Sequence, residues 1–191
     1  MHIIAGSAKK RKLEVPNLYF LRPTQERVRE AIFSSLEPFL PNAYVLDLFA
    51  GTGALGLEAL SRGAERCVFV EKHPKCIEAI RNNILACNLS DGAVVVAEDV
   101  FEYLRRVSQS KCRFDIVLAD PPYIKDKSHD FVQEFYSRLC LLIHQCLTLN
   151  GLALLGYFTP RAPVNFLPLL VWRQKQFGQT GFVFLRRKIP E

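Results

Sequence analysis

Two clusters of residues in this chain have the types and spacing to do chemistry. The first is Asp120-Pro121-Pro122-Tyr123, one carboxylate and one aromatic ring on a turn stiffened by two prolines. That pairing suits an exocyclic amine on a nucleobase. Such a nitrogen is a poor nucleophile because its lone pair is delocalised into the ring. Asp120, together with the carbonyl of Pro121, can accept its N–H bonds and stabilise the positive charge that develops as a methyl group arrives. Tyr123 can stack on the base, worth ~1–3 kcal/mol, which is comparable with the cost of unstacking it. On its own the tetrapeptide also reads as a rigid Pro-Pro loop closed by an Asp.

The second cluster begins upstream with Asp47-Leu48-Phe49-Ala50-Gly51-Thr52-Gly53-Ala54-Leu55-Gly56. Gly51, Gly53 and Gly56 form a GxGxxG pattern between an apolar run and a helical one, and Glu71 follows Gly51 by 20 residues. Two ligands suit this arrangement. One is a dinucleotide with its pyrophosphate on the helix N-terminus. The other is S-adenosylmethionine, which offers a ribose to Glu71 and has no phosphate. Asp47 discriminates by sign: a carboxylate beside the loop opposes a pyrophosphate and favours an ammonium or a sulfonium. The expected cofactor set is Asp47, Phe49, Ala50, Gly51, Thr52, Gly53, Glu71, Lys72, Asp99 and Val100. Asp99 reads equally as an acceptor for the adenine amine and as the N-cap of the next helix.

Alternating apolar and amphipathic runs must position these residues. Strands are expected at Ala43–Phe49, Arg66–Glu71, Ala93–Ala97, Phe114–Ala119 and Leu152–Phe158. Helices are expected at Ala54–Arg62, Pro74–Cys87, Val100–Val107 and Ser128–Leu147. Two last strands, Leu170–Phe177 and Phe182–Arg187, are joined through Gly178 and Gly181 and predict an antiparallel edge hairpin. Strict β/α alternation with near-continuous apolar strands predicts a mostly parallel, doubly wound seven-stranded sheet of the α/β class. Ligands of such sheets sit beyond the carboxyl ends of the strands, so the loops after strands one and four are expected to be neighbours. Residues 1–42 differ in pattern. His2–Ala5 and Lys12–Val15 are expected to pair around Lys9-Lys10-Arg11, and Thr24 to cap a helix through Leu36 with Arg29 on its polar side. The boundaries read from this are an N-terminal hairpin and helix over 1–42 and a main domain over 43–191.

A chain of 191 residues that is 49% hydrophobic buries a single core without staples and is not a disordered sequence. Its formal charge of +6 is concentrated at the termini, with a balance of +4 in residues 1–30 and +4 in residues 171–191. Basic ends suggest a polyanionic partner, although solubilising surface charge gives the same pattern. The six cysteines, at 67, 76, 87, 112, 140 and 146, contain no CxxC, and the four histidines form no ligand pair. No metal is therefore expected, and the thiols read as reduced residues of a cytoplasmic protein. The N-terminus turns basic at Lys9 before any apolar run of signal-peptide length, and Leu139–Phe158 is too polar for a bilayer span. A monomer is expected.

The chain resembles the RsmD family of bacterial small-subunit rRNA guanine-N2 methyltransferases over nearly its whole length. The resemblance rests on Ile3-Ile4-Ala5-Gly6 with Arg11-Lys12-Leu13 and Pro16, and on Leu21-Arg22-Pro23-Thr24 with Arg27-Val28-Arg29-Glu30. It continues through the run from Phe49 to Arg62 and Asp120-Pro121-Pro122-Tyr123. It implies a Rossmann-like class I methyltransferase fold and methyl transfer from S-adenosylmethionine to the N2 amine of one guanine in 16S rRNA, on partly assembled small subunits. It implies that Asp120, Pro121, Pro122 and Tyr123 are catalytic, and that Lys10, Arg11, Arg22, Thr24 and Arg27 face RNA. Alanine at 5 and lysine at 10 stand where the family usually has glycine, and the fifth strand lacks the glutamate that commonly ends it.

The residues themselves support amine methylation more firmly than RNA or guanine. A DNA adenine-N6 or cytosine-N4 methyltransferase uses the same two motifs, although about 40 residues outside the core leave little room for a target-reading region. A nicotinamide-dependent reductase built on the GxGxxG would have no use for Asp120-Pro121-Pro122-Tyr123. A non-catalytic RNA-binding assembly factor would bind RNA and transfer nothing.

Overall fold

A computed structural model describes residues 1–18, 24–122, 128–163 and 165–187. The chain divides into two compact units, Met1–Val100 and Phe101–Glu191. In the first, β1 (Tyr44–Leu48), β2 (Arg66–Glu71) and β3 (Ala93–Ala97) lie in the order β3-β2-β1, all parallel. Helices α1 (Glu26–Leu36), α2 (Ala54–Ser61) and α3 (Pro74–Cys87) belong to the same unit, and α4 (Val100–Ser108) straddles the boundary. In the second unit, β4 (Phe114–Ala119), α5 (His129–Cys146), β5 (Leu147–Phe158), β6 (Leu169–Phe177) and β7 (Thr180–Arg187) give the order β4-β5-β7-β6. Pairing is parallel for β4–β5 and antiparallel for β5–β7 and β7–β6. The fold is thus the expected seven-stranded, mostly parallel sheet with an antiparallel hairpin.

Residue type explains these elements locally. β1 and β4 read as apolar runs and are buried along most of their length. All eight residues of α2 are buried, as befits a helix apolar on nearly every side. Pro74 starts α3, and Asn88 ends it in the left-handed conformation at φ 56°. Ser128 caps α5, its hydroxyl accepting from the Phe131 amide at 3.2 Å. β3 departs from the buried pattern: Val94 is 44% exposed, because β3 is the outer strand of its unit.

The N-terminal segment turns back on itself around Lys9-Lys10-Arg11 as expected, as a short bridge and not as two full strands, and is tied to α2 as well. An isolated antiparallel bridge joins His2 to Lys12, and around it the Ile3 amide donates to the Arg11 carbonyl at 3.0 Å, the Lys10 amide to the Ile3 carbonyl at 2.9 Å and the Leu13 amide to the Met1 carbonyl at 2.8 Å. The amides of Ile4 and Ala5 donate to the Glu58 carboxylate at 2.8 and 3.1 Å, and the Ser7 amide donates to the Ser61 carbonyl at 2.7 Å. The segment thus closes on itself and also bonds to α2. Gly6, at φ 83°, lies so close to α2 that a β-carbon would sit 1.7 Å from the Ser61 oxygen. Thr24 does not cap α1; the preceding residue is Gln25, which makes no side-chain cap, and Thr24 offers its carbonyl to Arg29. Arg29 is not on a polar face. It is 1% exposed and donates to the carbonyls of Thr24 and His2 at 2.8 and 2.6 Å. Burial pulls its guanidinium below the ordinary range, opposed by Glu58 and Glu26. β5 starts at Leu147, earlier than the expected Leu152, because α5 passes directly into it and a register irregularity between Phe114 and Ile116 takes up the extra residues.

Candidate active site: a glycine loop and an Asp-Pro-Pro turn

In the first unit the end of β1 turns sharply into α2. Phe49, Gly51 and Gly53 adopt positive φ of 55°, 56° and 76°. For Phe49, which carries a β-carbon, that costs of order 1–3 kcal/mol, a strain that tends to be kept where a loop must hold a set shape. Gly56 serves another need: a β-carbon there would come within 2.3 Å of the Phe69 ring and 2.6 Å of the Cys67 sulfur, so only glycine lets α2 settle on β2. Ala50 and Thr52 are buried within the loop.

Three acids frame it. Glu71, at the end of β2, accepts from the Gly51 amide at 2.9 Å with one oxygen and from the Lys72 and His73 amides at 2.9 Å with the other. Asp99, beyond β3, pairs with the Lys72 ammonium at 3.1 Å on a largely exposed rim. Asp47 is 1% exposed and accepts from the Gly56 amide at 2.9 Å, so its carboxylate anchors the first turn of α2 from within. Burial, reinforced by Asp47, pushes the Cys67 thiol well above its ordinary value. Val100 is buried at the start of α4. The donor set fits a ribose and an adenine amine, which offer hydrogens to carboxylates. It does not suit a pyrophosphate, which would meet the Glu71 and Asp99 carboxylates and one lysine already paired.

Four residues that periodicity could not assign tie the loop, α2 and α1 to the N-terminal segment. Asn83, 1% exposed, donates to the Thr52 and Glu14 carbonyls at 3.0 Å each and accepts from the Glu14 amide at 2.6 Å. Glu58, fully buried, takes the amides of Ile4 and Ala5 and the Arg62 guanidinium at 2.7 Å. Ser61 takes the Ala8 amide at 3.0 Å, and Arg29 completes the set. The one clue in the sequence is polar side chains on otherwise apolar helix faces. Of the expected RNA-facing residues, Lys10, Arg11 and Arg27 are exposed and Thr24 is half-buried. Lys10 has φ 69°, the conformation glycine prefers. Arg22 and Tyr123 lie outside the described residues.

In the second unit Asp120 follows β4 directly and is partly exposed; Pro121 is buried and Pro122 exposed. The Asp120 carboxylate rests over Gly156 of β5, where a β-carbon would come within 2.3 Å of its oxygen. Tyr136 of α5 donates to the Gly156 carbonyl at 3.0 Å and fixes the strand from the other element. Among the described residues no group of three or more His, Cys, Asp or Glu is placed to hold a metal ion. Nor is any helix long and apolar enough to cross a membrane.

The family model described as conserved hypothetical protein 95 matches residues 1–186. The chain belongs to this family. Ribosomal RNA small subunit methyltransferase D of Escherichia coli is 41% identical over 193 residues, covering 98% of this chain and 90% of that protein. The protein of the same name from Haemophilus influenzae is 39% identical over 125 residues, 64% of each chain. A solved structure of a hypothetical protein from Thermus thermophilus superposes with a TM-score of 0.80 at 29% identity, covering 97% of this chain and 99% of that one. A SAM-dependent methyltransferase from Agrobacterium tumefaciens shares the fold at a TM-score of 0.61 and 23% identity, over 75% of this chain and 47% of that one. The architecture is the Rossmann-like class I methyltransferase fold.

Proposed function

We propose that this protein transfers a methyl group from S-adenosylmethionine to the exocyclic N2 amine of a guanine in 16S rRNA, acting on partly assembled small ribosomal subunits. Family membership supports the coarser statement, an rRNA methyltransferase that uses S-adenosylmethionine. The amine and the base are the finer reading. The observation that carries it is the Asp120 carboxylate, held between a buried proline and a glycine strand on a rim that stays partly open.

S-adenosylmethionine supplies an electrophilic methyl on a sulfonium. The remaining work falls to this chain. Glu71 and Asp99 accept the ribose and adenine hydrogens, and the loop from Phe49 to Gly53 holds its shape through the Glu71–Gly51 bond. Asp47 keeps the start of α2 in register with β1. Asp120 accepts an N–H of the target amine, aided by the Pro121 carbonyl, and stabilises the cation that forms on nitrogen as its lone pair takes the methyl. The methyl–sulfur bond breaks to leave S-adenosylhomocysteine as a neutral thioether, and the extra proton passes to solvent. Tyr123 stacks on the base. Lys10, Arg11, Arg22, Thr24 and Arg27, within an N-terminal piece over residues 1–42, contact the RNA backbone. The protein works in the cytoplasm, as a monomer.

Mass mapping of 16S rRNA from cells with and without the protein tests the reading. One N2-methylguanine that disappears with the protein supports it. An unchanged set of modified nucleosides, or loss of a mark on another base or atom, contradicts it.

A further inference from the structure

The basic C-terminal stretch has no role in the chemistry above. From residue 135 to residue 190 the sequence contains no Asp or Glu and seven Lys or Arg. Strand register decides where these cations point, since directly opposed residues of antiparallel strands share a face. Arg173 opposes Phe184, Lys175 opposes Phe182, and Phe182 in turn opposes Gly156. Arg186 opposes Leu152 and Leu170 and alternates with Phe184 and Phe182 on β7. Lys175, Arg173 and Arg186 therefore share the face on which a β-carbon of Gly156 would point at Asp120 and Phe182. Arg187 alternates to the other face and donates to the Leu147 carbonyl at 2.6 Å.

Trp172 organises the strip. It lies beside a register shift in β6, makes an edge contact with Phe184 at 6.1 Å, and has the guanidinium carbons of Arg186 and Arg173 at 4.5 and 5.1 Å from its ring centre. Two long cations on one ring lose rotamer freedom before any ligand arrives. Lys175 shares a row with Gly156 across two strand spacings, ~10 Å, and Arg173 and Arg186 follow in rows ~7 Å apart. Burial and the nearby Arg173 pull the Lys175 ammonium below its ordinary range, a crowding of like charge that an anion relieves.

We propose that the face of the β6–β7 hairpin carrying Lys175, Arg173 and Arg186 holds the phosphates of the single-stranded RNA flanking the target base, with Trp172 as the positioning residue. This rests on the function proposed above and adds a second RNA contact, independent of the N-terminal turn. The spacing of the rows matches successive phosphates of an extended strand, and the strip leads to the strand position beneath Asp120.

The test is the affinity of a mixed-sequence single-stranded RNA oligomer, read by fluorescence anisotropy over a range of KCl concentrations. The Lys175→Gln, Arg173→Gln, Arg186→Gln triple variant is compared with wild type and with a control that loses three exposed cations elsewhere (Lys75, Arg105 and Lys111, each to Gln). For single strands each lost phosphate contact flattens the log–log slope by ~0.7, so the triple variant is expected to lose about 2 from its slope while the control keeps it. S-adenosylhomocysteine affinity stays at the wild-type value and reports an intact fold. With small subunits as substrate, the KM rises roughly tenfold or more at an unchanged kcat. Trp172→Leu keeps all three charges and is expected to weaken binding at an unchanged slope. A triple variant with the wild-type slope and KM overturns the strip, as does a control that loses as much. Failure of the proposed function is distinguishable: it appears as a wild-type chain that moves no methyl group to small subunits.

Discussion

Asp120 occupies the space that a side chain at position 156 would need. A β-carbon on Gly156 would stand 2.3 Å from the Asp120 oxygen and 3.0 Å from the Phe182 ring. The strand that lacks an acid at this point thus offers a seat for an acid from the neighbouring loop. Gly156→Ala is expected to displace the carboxylate without touching any substrate atom. A misplacement of about 1 Å costs roughly 100-fold in rate, so kcat should fall by that order while S-adenosylhomocysteine binds as before. Calorimetry and single-turnover methyl transfer check this, and a kcat near wild type would show that the seat of Asp120 does not matter.

Asn83 joins the glycine loop to the N-terminal segment through three hydrogen bonds to backbone. Asn83→Ala leaves a buried amide and carbonyls without a partner, at ~1–3 kcal/mol for each unsatisfied group. For a chain of this size that lowers the melting temperature by several degrees or more. Because the Thr52 carbonyl lies in the loop, S-adenosylhomocysteine affinity is expected to fall as well. Calorimetric unfolding with and without the ligand separates the two effects.

Glu71 gives one carboxylate oxygen to the Gly51 amide and the other to two amides of its own turn. Glu71→Ala should weaken S-adenosylhomocysteine by tenfold or more, since it removes a charged acceptor worth ~1.5–3 kcal/mol. NADH should bind neither form tightly. An unchanged affinity for S-adenosylhomocysteine would take Glu71 out of the cofactor site.

The thiols give a prediction independent of catalysis. Burial pushes Cys76 and Cys146 up to about 11 and Cys140 up to about 12, and raises Cys67 and Cys87. The thiolate is the reactive form, so at pH 8 these five stay protonated and inert in the folded protein. Labelling them requires a pH well above the ordinary thiol range or unfolding. Cys112 is exposed. Iodoacetamide at pH 8 should therefore modify one cysteine in the native chain and six in denaturant, read by intact mass, with Cys112→Ala abolishing the native product.

Local pattern was sufficient for much of the fold. Arg66–Glu71, Pro74–Cys87, Ala93–Ala97 and Phe114–Ala119 begin and end where apolar runs, a helix-starting proline and turn residues place them. The shapes of the glycine loop and the Asp-Pro-Pro turn were legible because each is written in consecutive residues. The attachment of the N-terminal segment was not. Its bonds run from Ile4 to Glu58 and from Glu14 to Asn83, separations of 54 and 69 residues that no periodicity records. Arg29 misled for the same reason: its i+3 spacing from Glu26 suggests a solvated face, whereas its partners are carbonyls of Thr24 and His2. Lys10 shows the converse. Its left-handed φ of 69° explains why glycine suits that turn, and marks lysine there as a substitution made at some conformational cost.

Methyl transfer by Asp120→Asn tests the central claim most directly. Tritiated S-adenosylmethionine is supplied with small ribosomal subunits from cells lacking this protein, and S-adenosylhomocysteine affinity is measured on the same samples. The account predicts a kcat lowered by roughly 100- to 1000-fold, the scale for loss of one preorganised group at a developing charge, with cofactor affinity retained. Wild-type turnover in that variant, with the label still on guanine N2, would contradict it.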